Sequence, residues 1–346
     1  MQPCGTFNRT YAQDMAIIRT GTQWAILAVF LVALFTLPLY LPGQYVYLTI
    51  YIGVGIIAVQ GLNILTGYCG QISIAQSGFM AVGAFGSALI TSRLNIPFWF
   101  AVPLSGVLAG VVGLLFGIPS LRIKGFYLAL ATLAAQFIIT FAIIHFFNGD
   151  TGVQVSAPRL GPVVFSTDRS FFYIVVPTAV LFTFLAKNIV RTRMGRAFIA
   201  IRDNDIAAEA MGINIFRYKL LAFFIGCFFA GIAGSLWAAY IGLASVDHYS
   251  LLDSVWLLAM MVVGGMGSVS GAVFGVVFIR VIEYLTQLVA PYIAALVPAL
   301  SFNVLSALEV LVFSLILMLF LIFEPRGLAH RWEMFKTSYR LHPWAR

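Results

Sequence analysis

The feature that most constrains this chain is a succession of apolar runs. They approach or exceed the roughly 18 residues that carry a helix across a bilayer. The candidate spans are about 24–41, 46–66, a third ending near 90, 98–118, 126–147, 171–186, 220–241, 251–263, a ninth that holds Arg280 and Glu283, and 302–323. The pattern predicts an all-α fold: a polytopic helical membrane bundle of about ten transmembrane segments (range roughly 8–10). Charged residues are 9% and apolar residues 61% of the 346, whereas a soluble chain carries about a quarter charged. That leaves too little polar surface to clothe a soluble globule. A membrane β-barrel would need segments of about ten residues alternating apolar and polar, and no such alternation is visible.

Charge gathers at one internal place, residues 187–219, which hold seven of the 20 Lys and Arg. Ten spans put both termini on one side. With them fall Arg9, Arg19, Arg122, Lys124, the seven basic residues of the window and five in the tail, 16 of the 20. Cytoplasmic loops carry the Lys/Arg excess, so both termini and the window are expected in the cytoplasm. The expected organisation is a cytoplasmic segment 1–22, a membrane domain 23–325 and a basic cytoplasmic tail 326–346. The membrane domain includes the cytoplasmic loop 187–219 and a periplasmic loop 148–170. The first apolar run lacks a convincing small-residue cleavage site and reads as a retained helix. The net charge of +8 sits in loops and is a topology signal, so no nucleic-acid partner is expected.

Several chemistries lack their residues. There is no GxxxxGK[ST] loop to cradle a nucleotide. The four histidines are dispersed without metal spacing, and the three cysteines form neither a zinc site nor a disulfide framework. No catalytic residue, metal site or cofactor is assigned. Between Gly61 and Gly86, glycines and the polar residues Asn63, Gln71, Ser73, Gln76 and Ser77 interrupt the apolar pattern. This stretch reads either as a discontinuous helix lining a solute path, since irregular backbone at membrane depth survives only against protein or water, or as a short loop whose polar groups bond across packed helices. Arg280 and Glu283 are spaced to share a helix face as an ion pair. The Gly264–Gly271 stretch is either a loop or an interruption within one helix.

Within the charged window, Asp203, Asn204 and Asp205 are good N-caps and Gly212 is a good terminator. They predict a helix of about two turns outside the membrane. It reads either as a coupling element or as a surface helix stabilised by its own charges.

The segment AAEAMGIN, with Glu209, Ala210 and Gly212, resembles the EAA signature of ABC-importer membrane subunits. GLNILTGYCGQISIAQSGFMAVGAF, LRIKGFYLALATLA, GRAFIAIRDNDIAAEAMGINIFRYKLLAF, VGGMGSVSGAVFG and EPRGL are similar to blocks of the permease family of branched-chain amino acid (Liv-type) importers, and within it to the M-type subunit. The resemblance covers residues 61–327. It implies a coupling helix that docks on a cytoplasmic ATPase, with Arg196, Arg202, Asp203, Asp205, Glu209, Ala210 and Gly212 at the contact. It also implies ATP bound by partner subunits only, a second homologous permease as heterodimer partner, two cytoplasmic ATPase subunits, a periplasmic solute-binding protein, and a multi-pass location in a bacterial inner membrane. The resemblance implies a branched-chain or related amino acid as solute, with urea or a short-chain amide, which the same family also carries, as the alternative. A stand-alone secondary transporter or channel would need ion-coupling acids at mid-membrane. A membrane enzyme would need a convergent site, and the sequence displays neither.

Overall fold

The computed structural model describes residues 21–120, 125–147, 149, 151–160, 163–296, 303–324 and 326–341. The N-terminal segment 1–22 therefore lies outside the described residues but for its last two, as do residues 342–346 of the tail. Helices dominate: α1 (Gly21–Tyr40), α2 (Gly43–Leu62), α3 (Gln76–Arg93), α4 (Phe98–Ser120), α5 (Phe126–Phe147), α6 (Asp168–Arg191), α7 (Arg193–Asp203), α8 (Asp205–Ala210), α9 (Ile215–Ile241), α10 (Leu251–Gly264), α11 (Val269–Leu296), α12 (Asn303–Phe323) and α13 (Gly327–Leu341). Among the described residues, seven helical stretches are long and apolar enough to cross a membrane, and Trp24–Tyr40 and Val310–Phe320 are shorter apolar helices. The chain is an all-α polytopic bundle.

The bundle is assembled around α9. Ala222, Gly226, Ala230, Gly234 and Ala238 recur every fourth residue and are all buried. They form a ridge with almost no side chain, which lets neighbouring backbones close in. A Cβ on Gly234 would stand 1.9 Å from the Met80 carbonyl of α3, and one on Gly61 of α2 would stand 2.6 Å from the Gly226 carbonyl. Beside α3, α4 lays Gly106, Gly110, Gly113 and Gly117 against Ile232, Phe224, Cys227 and Phe223 of α9. Small residues on one helix receive large ones on the other, so α9 is closely clasped by α2, α3 and α4, and its Ser235 hydroxyl reaches both Gly83 of α3 and Ser105 of α4.

The Gly264–Gly271 stretch is a turn between two antiparallel helices. Gly264 abuts Gly271, and Gly275 abuts Met260 four residues further from the turn on each strand of the hairpin. In the 148–170 connection, β1 (Val153–Gln154) pairs antiparallel with β4 (Leu243–Ala244) just past the end of α9, and β2 (Arg159–Leu160) pairs with β3 (Val163–Val164). The β1–β4 pair pins the connection to the end of α9 farthest from the charged window.

Candidate coupling loop and helix break

Between the end of α6 and the start of α9, the window 187–219 folds into two short helices, with caps at both ends of the second. α7 turns its apolar side inward: Ala197, Phe198 and Ile201 are buried, and Phe198 meets the Tyr218 ring edge-on at 6.2 Å. Asn204 then adopts an extended backbone and accepts the Ala207 amide on its side chain at 3.1 Å, opening α8. At the far end the Gly212 amide donates to the Glu209 carbonyl (2.9 Å) and the Ile213 amide to the Ala208 carbonyl (3.0 Å). Those two bonds are a Schellman closure, and it requires the left-handed φ of +84° found at Gly212. Asn214 caps α9 in turn by accepting the Arg217 amide.

α8 buries Ala208 alone. Ile206 is 74% exposed and Met211 85%, and Glu209, Ala210 and Gly212 are exposed beside them. Asp205 is held back by Lys219 at 3.9 Å. Arg196 and Asp203 are exposed as well. Ile206 and Met211 were not singled out in the sequence. The available signal is that they are the large apolar residues within an otherwise polar and alanine-rich stretch.

Arg202 takes a different direction. Its Nε and Nη2 donate to one Asp203 carboxylate oxygen (3.0 and 2.9 Å), while its Nη1 donates to the Gly67 carbonyl at 3.0 Å. Gly67 lies in the other region marked in the sequence. There α2 continues into a π-helical turn, Asn63–Tyr68, before the helix breaks and restarts at Gln76.

The five polar residues of this break are buried: Asn63, Ser73, Gln76 and Ser77 are fully inaccessible and Gln71 nearly so. Three of them cross-link helices. Asn63 donates to the Ser268 carbonyl and accepts the Gly267 amide (3.0 and 2.9 Å). Gln76 donates to the Ala58 carbonyl at 2.9 Å. The Ser77 hydroxyl donates to the Ser250 carbonyl at 2.6 Å, and its amide donates to Ser254 Oγ at 2.9 Å. Gln71 bonds locally, to Cys69 Sγ, and Ser73 accepts the Ala75 amide. Gln71 and Gln76 each retain a buried side-chain carbonyl oxygen without a partner. Gln136 and Thr132 of α5 complete the group by accepting the Gly78 and Ile74 amides at the restart of the helix (2.7 and 3.0 Å). Neither was anticipated, although Thr132, Gln136 and Thr140 recur every fourth residue and so share one face of this apolar helix.

Residues 44–322 match the family described as "Branched-chain amino acid transport system / permease component". The chain is 33% identical over 240 residues to the high-affinity branched-chain amino acid transport system permease protein LivM of Escherichia coli (strain K12), which covers 62% of this chain and 56% of that protein. It is 32% identical over 253 residues to LivM of Salmonella typhimurium, covering 65% and 60%. It is 25% identical over 287 residues to a probable branched-chain amino acid transport permease protein LivM of Methanocaldococcus jannaschii, covering 81% and 78%. The matched region thus spans somewhat over half the length of the two enterobacterial relatives.

Proposed function

The chain belongs to the branched-chain amino acid transport permease family, and from that premise we propose that it is the membrane-spanning half of a solute path in an ATP-binding-cassette importer of the inner membrane. It pairs with a second homologous permease, two cytoplasmic ATPase subunits energise it, and a periplasmic binding protein delivers the solute, a branched-chain or related amino acid. ATP is bound by the ATPases alone. The observation that carries this reading is α8. It is a two-turn helix capped at both ends, and it projects Ile206, Glu209 and Met211 into solvent from an otherwise packed bundle.

α8 docks in a groove of an ATPase. Burying Ile206 and Met211 contributes about 1.5–3 kcal/mol each. Glu209, Arg196 and Asp203 add charge-assisted bonds at the rim. Asp205 is tied to Lys219, and together with Asn204 and Gly212 it sets the helix ends. When ATP draws the ATPases together, α8 moves with them and the bundle rocks between outward and inward openings. Along the break, Gln71 and Gln76 meet the solute, because each has a buried carbonyl oxygen still unused. Asn63, Ser73 and Ser77 hold the backbone behind them.

Replacing both exposed apolar residues, Ile206→Asp with Met211→Asp, tests the docking. The folded permease should keep its thermal midpoint, since these side chains already face solvent. Co-purification of the ATPases should fall at least about tenfold, and Glu209→Ala should weaken it less. Unchanged ATPase retention and transport would overturn the assignment.

A further inference from the structure

Docking explains the outward face of the loop. Arg202, its side chain 38% exposed, lies along a slot made of glycines. A Cβ on Gly70, where φ is +73°, would stand 2.9 Å from Arg202 Cγ and 3.3 Å from its Cα. A Cβ on Gly267, where φ is +75°, would stand 2.9 Å from Arg202 Nη1. Gly67 presents its carbonyl to that same nitrogen, and a Cβ there would meet Asn63 Oδ1 at 2.2 Å and the Gly267 amide at 2.6 Å. The guanidinium therefore lies between the π turn that ends α2 and the turn that joins α10 to α11, with no room for a side chain on either wall.

The electrostatics suit the place. The π turn uses the Ile64, Leu65 and Thr66 carbonyls for the amides of Cys69, Gln71 and Gly70. Gly67 is the next carbonyl along, at the negative end of the helix dipole, where a cation is favoured. Asn63 binds the two walls to each other through Gly267 and Ser268, and Gln60, one helical turn earlier on α2, donates to the Val269 carbonyl at 2.9 Å. A shift of Arg202 that keeps its bond to Gly67 therefore pulls on the end of α2 and, through Asn63 and Gln60, on the start of α11. Arg202 is also joined to α8 by only Asp203 and Asn204, and it holds Asp203 with a two-pronged bond.

We propose that Arg202 is the positioning residue that transmits movement of the docked loop to the broken helix, through its bond to the Gly67 carbonyl and the Asn63 bridge to the α10–α11 turn. This rests on the coupling role of α8 and assigns it an inward link. A docking residue would set how tightly the ATPases bind. A transmitting residue instead sets how much solute moves per ATP.

The test uses the full complex in proteoliposomes. Arg202→Ala, Arg202→Lys and Asn63→Ala are compared with Glu209→Ala for ATPase co-purification, ATP hydrolysis stimulated by the binding protein, and solute transported per ATP. Arg202→Ala should leave co-purification and hydrolysis within about twofold. It should lower transport per ATP on the order of tenfold, the size expected for losing one hydrogen bond to a charged group. Arg202→Lys keeps the charge without the fork and should fall between. Combining Arg202→Ala with Asn63→Ala should cost little more than either alone, since both cut one link.

If Arg202→Ala strips the ATPases from the complex, Arg202 is a docking residue and the proposal fails. If transport per ATP is unchanged, it fails as well. Should the alanine variant not accumulate in membranes, Arg202→Lys carries the same measurement with the same two outcomes. If instead Ile206→Asp with Met211→Asp leaves ATPase binding intact, the failure belongs to the docking role of α8 and not to the Arg202 link.

Discussion

A side chain at position 212 would meet nothing within 4 Å, so the demand for glycine there comes from the φ of +84° alone. Gly212→Ala should therefore weaken the closure of α8 by about 1–2 kcal/mol, the cost of a left-handed L-residue. Gly212→Asn should lose less, since asparagine tolerates that region. Amide hydrogen exchange at Ala208 to Ile213 reads this directly, and equal protection in the two variants would refute it. Arg280 poses the opposite problem. Its guanidinium lies 3.6 Å from the centroid of the Tyr51 ring, and its Nη1 donates to Glu283 at 2.7 Å and to the Tyr51 hydroxyl. The charge pair was legible from its spacing, but the Tyr51 platform was not, because it comes from another helix. Arg280→Leu leaves Glu283 unpaired inside a span and should destabilise the protein by about 3–5 kcal/mol. Adding Glu283→Gln should recover most of that, measured as the thermal midpoint in detergent. A double variant no more stable than the single would show that the stacking on Tyr51, and not the charge balance, is what matters.

At the scale of elements, helix contacts were legible wherever small residues recur at every fourth position. The α9 ridge and the α4 glycines are both visible in the sequence as such stripes, and both lie at close helix contacts. A stripe names the face that packs but not its partner, and the pairing of Gly234 with Met80 had to come from the fold. The π turn at Asn63–Tyr68 left no periodic trace. Six residues are too few to shift an apolar pattern, and only the glycines and polar residues around it marked a break. Because a Cβ on Gly234 would stand 1.9 Å from backbone and not from a flexible side chain, α3 and α9 must separate to admit one. Gly234→Val should cost about 1–3 kcal/mol or more by overpacking. Gly21→Ala, with open space around it, should be neutral. Equal melting of the two variants would show that α3 and α9 part easily, and the central clasp would then not organise the bundle.

For the whole molecule, the fold class was legible because it follows from bulk hydropathy and the positions of charge, which need no knowledge of contacts. The site was legible only in outline. The caps at Asn204 and Gly212 are local and readable, whereas the direction of Arg202 depends on a residue 135 positions away in sequence. What the assembled structure adds is where two of the acids in the apolar helices are engaged. Acids inside the spans commonly mark proton relays, whereas sodium sites can also be built from backbone carbonyls at helix breaks. Here Glu283 is engaged by Arg280 at 2.7 Å, and Asp253 is spent in the capping box with Ser250 at the start of α10. In this conformation neither of these two acids is free to take up a coupling proton. On the proposed ATP-driven reading, liposomes holding this chain with a second permease, but without ATPases, should take up no more solute under an imposed proton or sodium gradient than empty liposomes do. Adding the ATPases, the binding protein and ATP should produce uptake. Gradient-driven uptake without the ATPases would mean that one of the two acids is released in another conformation, and the energy would then enter through the spans and not through α8.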